Sequence, residues 1–172
     1  MLLIRLSDGL TRSLMVLGAI WAFALCFLIL ADIIFRALGT PLSGTKELVA
    51  NSVVIIVFMQ IGFAVRSGSM LRATFLVDML PPRLQRLLFI LCLVAGAGIF
   101  FFLLHAAITP ALRSFANGEF DGEGALRVPV WPARFAILFG AGLAGVNYLI
   151  LLLAELLGLR LGNLTLWGGF DV

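Results

Sequence analysis

Charged side chains along this chain fall into short clusters separated by long runs that hold no Asp, Glu, Lys or Arg, at residues 13–31, 48–65, 87–112 and 135–154. Each run is near or above the roughly 18 apolar residues that a helix needs to cross about 30 Å of hydrocarbon. The pattern predicts an all-α integral membrane protein of four transmembrane helices. The spans should run approximately over 13–35, 47–66, 86–110 and 134–157, within one membrane domain covering residues 1–172.

The polar clusters predict the connections. Residues 1–12 mix Leu2, Leu3, Ile4, Leu6 and Leu10 with Arg5, Asp8 and Arg12, a composition suited to a short interfacial helix before the first span. The first run contains Ala22-Phe23-Ala24, which looks like a signal cleavage site, yet it continues unbroken to Ala31. That length predicts a retained signal-anchor helix. Gly39, Pro41, Ser43 and Gly44 predict a tight hairpin between the first two spans. Arg66, Arg72, Arg83 and Arg86 bracket the apolar stretch 73–80, which predicts a second interfacial segment; Pro81-Pro82 ends it and starts the third helix. Between the last two spans, Gly118, Gly122 and Gly124 lie among Glu119, Asp121 and Glu123. Irregular chain is expected there, with Trp131 at headgroup level.

Composition agrees with this reading: 62% of the residues are hydrophobic and 12% charged, outside the soluble globular range. The net charge of +3 is not gathered into a soluble basic patch, which disfavours nucleic acid and assigns the arginines to lipid headgroups. With four spans both termini share a side. That side carries Arg5, Arg12, Arg66, Arg72, Arg83, Arg86 and Arg160, seven bases, against Arg36, Lys46, Arg113, Arg127 and Arg134, five. The excess predicts cytoplasmic termini.

Candidate chemistry is sparse. His105, the single histidine, has no second imidazole with which to hold a haem iron, and too few neighbouring ligands to hold zinc. Cys26 and Cys92 lie in apolar runs and read as buried free thiols. No serine is set up with a base and an acid for nucleophilic catalysis. The expectation is a protein that is not an enzyme and takes no cofactor. Asp32 and Arg36, four residues apart, should pair at the end of the first span, and Glu47 should sit at the favourable N-terminus of the second helix. Gly18 with Ala22, Gly140 with Ala144, and Ala141 with Gly145 are small-residue pairs that allow close helix approach.

Several stretches together resemble one family. Asp32-Ile33-Ile34-Phe35-Arg36 ends the first span, and Gly44-Thr45-Lys46-Glu47-Leu48 opens the second. Phe58-Met59-Gln60-Ile61-Gly62-Phe63-Ala64-Val65-Arg66-Ser67-Gly68 leaves it, and Gly124-Ala125-Leu126-Arg127-Val128-Pro129-Val130-Trp131 leads into the last. Their order and spacing, over about residues 14–158, are similar to the DctQ-type small membrane subunit of tripartite ATP-independent periplasmic (TRAP) transporters. The chain departs from the family at Gly44 and Thr45, where members often have tryptophan, and at Met70, where they often have histidine. The resemblance implies an accessory scaffold in the bacterial inner membrane, paired with a large membrane subunit and served by a periplasmic substrate-binding protein, for sodium-coupled uptake of an organic acid. It implies partner or headgroup contacts at Arg36, Glu47, Arg66 and Arg72. It also implies a periplasmic face for Glu119, Asp121 and Glu123, which would dock the binding protein or simply be solvated. Two other classes stay open at this point. One is an independent homo-oligomeric channel or carrier lined by Asn51, Gln60 or His105; the other is a cofactor-binding membrane enzyme, which the ligand supply disfavours.

Overall fold

The computed structural model describes residues 2–40, 42, 44–67, 81–122 and 127–157, with side chains from Ser7 onward. Four helices account for nearly all of these: α1 (Leu2–Ala37), α2 (Thr45–Arg66), α3 (Pro82–Asn117) and α4 (Trp131–Leu156). All four are long and apolar enough to cross a membrane.

The ends of the helices follow from local chemistry. Gly39 and Gly44 adopt φ of 80° and 86°, which glycine accepts without the steric cost of a Cβ, and so turn the chain from α1 into α2 within a few residues. Pro82 stands in the first turn of α3, where its missing N–H removes no hydrogen bond. Gly118, at φ 58°, caps the other end of α3. Beyond it, Phe120–Asp121 (β1) pairs antiparallel with Val128–Pro129 (β2), in the register Phe120 with Pro129 and Asp121 with Val128. The connection expected to be irregular is thus a small hairpin at this point, and Gly122, at φ 112°, turns the chain at its end.

Two helices run further than the charge pattern suggests. α1 begins at Leu2, so residues 2–12 are its first turns and not a separate surface helix. α3 continues through Pro110 to Asn117. Proline has no N–H to give to the carbonyl four residues before it, so one bond of the ladder is missing there; separately, Arg134 Nη1 of α4 donates to Pro110's own carbonyl at 2.9 Å and ties α4 to α3. The interfacial segment expected at 66–86 falls mostly outside the described residues.

The helices stand in an open row, α1–α2–α4–α3, in which α4, the last in sequence, packs on both α2 and α3. Small residues make that central position available. Gly140, Ala141, Ala144 and Gly145 of α4 are all buried, and a Cβ at Gly140 would run into the backbone of Phe58 in α2. On the other flank, Gly145 lies against the Phe101 ring, and a Cβ at Gly96 of α3 would meet Tyr148 at 2.6 Å. Phe100 and Tyr148 stack with centroids 5.7 Å apart. The edge helices keep broad apolar flanks exposed, including Ile20, Phe23, Phe27 and Ile33 on α1 and Leu91, Val94, Ile99 and Phe102 on α3. In water such flanks would be untenable; in hydrocarbon they need no cover.

Candidate functional site: polar ties between the helices

Polar groups concentrate at the two ends of the row. At the end shared by the chain termini, α1, α2 and α4 converge on Asn147, which is fully buried. Its Oδ1 accepts from Ser7 Oγ at 2.8 Å. Its Nδ2 donates to the Gly62 carbonyl at 3.2 Å and reaches Thr11 Oγ1 at 3.4 Å. One amide side chain therefore joins three helices, with both of its N–H donors and its oxygen engaged.

Arg66, at the last turn of α2, has no exposed surface and binds Asp8 Oδ1 through Nη2 at 2.5 Å. Its Nε and Nη1 find no acceptor among the described residues. Residues 2–12 continue α1, so Asp8 lies beside the end of α2 and takes up the Arg66 guanidinium. Burial of a cation requires such a counter-charge. At the same end, Arg86 of α3 donates from Nε to Glu155 Oε1 of α4 at 2.9 Å and from Nη2 to the Glu155 carbonyl at 3.1 Å.

At the opposite end Arg36 Nη2 donates to Asp32 Oδ2 at 2.9 Å, and Thr45 Oγ1 lies 3.4 Å from Asp32 Oδ1, which fastens the α1–α2 turn. Glu47 stands in the first turn of α2, half-buried, and its carbonyl accepts from Asn51 Nδ2 at 3.0 Å. Glu119 is bridged to Arg134 Nη2 at 2.8 Å, whereas Asp121 is exposed on the hairpin. Trp131 begins α4 in edge-to-face contact with Phe115 and Phe135. Arg72 and Glu123 lie outside the described residues.

The small-residue positions sit in helix interfaces. Gly18 of α1 lies against Gln60 and Met59 of α2, with Ala22 half-buried one turn on. The three residues weighed as a pore lining do not converge. Gln60 faces Gly18, Asn51 binds within its own helix, and His105 is exposed on α3, an edge helix. Cys26 and Cys92 are free thiols, but both are exposed on the edge helices and not buried in protein as expected. The ties that sequence reading missed are those of Ser7, Asp8 and Thr11. Their three- and four-residue spacing, one helical face, was the signal that residues 7–11 belong to a packed helix.

These observations define a multi-pass membrane protein whose buried polar groups Asn147 and Arg66 hold its helices to one another. Residues 25–158 match the family model for tripartite ATP-independent periplasmic transporters, DctQ component, and the chain belongs to this family, the small membrane component of TRAP transporters. The family is a transporter component and not an enzymatic one. No curated protein and no solved structure gives a significant match.

Proposed function

We propose that this chain is the fixed scaffold subunit of a TRAP transporter, paired with a large membrane subunit for sodium-coupled, binding-protein-dependent uptake of an organic acid. The observation that carries this reading, beyond family membership, is the open row. Its two outermost helices present long apolar flanks, and its charged residues lie near the helix ends, where they tie helices together and leave no charge mid-span for an ion to bind. Such a body widens a complex instead of enclosing a path. The majority of bases on the side of the termini supports an inner-membrane orientation with both ends cytoplasmic. The hairpin with exposed Asp121 then faces the periplasm, where a binding protein docks, and Arg36 and Glu47 lie at the same face, near the partner subunit.

The test is purification of the tagged chain from its host in mild detergent, with mass spectrometry of what accompanies it. A stoichiometric membrane protein of many more spans is expected, together with loss of sodium-dependent organic-acid uptake when the chain is deleted. A homo-oligomer free of partners would overturn the reading.

A further inference from the structure

A groove lies between α1 and α2 at the end away from the termini, beside the Asp32–Arg36 pair and the Thr45 hydroxyl. Ile29 and Asp32 line it from α1, and Thr45, Lys46, Val49 and Ala50 from α2; its volume is about 400 Å³. Its lining surface is almost wholly apolar. Asp32, Thr45 and Lys46 stand at the mouth, where both helices end, whereas Ile29, Val49 and Ala50 continue into the hydrocarbon zone.

Four charged groups lie at this end of the two helices, Asp32, Arg36, Lys46 and Glu47. The Asp32 carboxylate is taken up by Arg36 on one oxygen and approached by Thr45 on the other. Lys46 is exposed, and no carboxylate among the described residues forms an ion pair with it. The first amide N–H groups of α2 lie at the same mouth, and a helix N-terminus favours an anion. A cation above an apolar groove is complementary to a phosphate ester carrying a long hydrocarbon chain, and bilayers supply that chemistry.

We propose that this groove is a phospholipid site, in which Lys46 holds the phosphodiester and an acyl chain lies along Ile29, Val49 and Ala50. The proposal stands on the membrane setting alone, whichever proteins the chain assembles with. A partner helix filling the groove is the competing occupant, and it would leave Lys46 in need of an acid.

The test uses the full chain, with any copurifying partner, delipidated in mild detergent and titrated with palmitoyl-oleoyl phosphatidylethanolamine or phosphatidylglycerol under native mass spectrometry. Wild type should retain at least one of the two. Lys46→Gln should weaken binding about fivefold, the worth of one lysine at a lipid surface, and Lys46→Arg should restore it. Ala50→Phe, which fills the groove, should abolish binding, while Leu91→Phe on the outer flank of α3 should not. Palmitate or inorganic phosphate bound as tightly as the phospholipids would overturn the proposal. So would equal binding by all the variants, or a photo-crosslinker at position 50 that captures protein and not lipid.

Discussion

The most consequential single residue is Arg66. A buried guanidinium with one carboxylate partner is held by that partner, so removal of Asp8 leaves a bare cation inside the protein. Asp8→Ala should therefore cost about 3 kcal/mol of stability. Arg66→Met in the Asp8→Ala background should recover most of that loss, since an apolar side chain of similar reach needs no counter-charge. Equilibrium unfolding in detergent, run as a double-mutant cycle, measures the coupling. Additive losses would place the guanidinium's stabilisation somewhere other than on Asp8. Neither residue announces this role in the sequence. Arg66 stands in an arginine-rich connection, and its partner lies 58 residues away, in a stretch whose mixture of leucine and charge reads as a surface segment.

At the scale of elements, α4 depends on small residues on two flanks. Gly140→Ala places a methyl against the Phe58 backbone, which cannot rotate away, so α2 and α4 must separate and stability should fall by about 1–3 kcal/mol. Gly98→Ala on α3 meets nothing within 4 Å and should be neutral or slightly stabilising. The two melting temperatures, compared in one detergent, separate packing from helix propensity; equal shifts would contradict the α2–α4 contact. The existence of all four helices was legible because hydrocarbon excludes charge. Their extents were less so. The charge pattern ends the third span at residue 110, yet α3 runs on through Pro110 to Asn117. The order of the helices in the row was not legible either, because segments that are apolar all round show no preferred face.

At the scale of the molecule, the asymmetry between the two ends predicts topology. In a background with Cys26→Ser and Cys92→Ser, Asp121→Cys should react with a membrane-impermeant maleimide in intact cells, whereas Arg12→Cys, exposed near the start of α1, should react only after lysis. The reverse pattern would invert the orientation proposed from the arginine count. The open row also bears on biogenesis. α3 packs chiefly on α4, and the amide that joins α1 to α2 at their polar end belongs to α4 as well. The helix that joins α3 to the α1–α2 pair is the last of the four to leave the ribosome. Until it arrives, the α1–α2 hairpin and the third span wait side by side in lipid without a common seam. A chain cut short before residue 131 is then left as two unjoined pieces, open to the proteases that clear orphaned membrane segments.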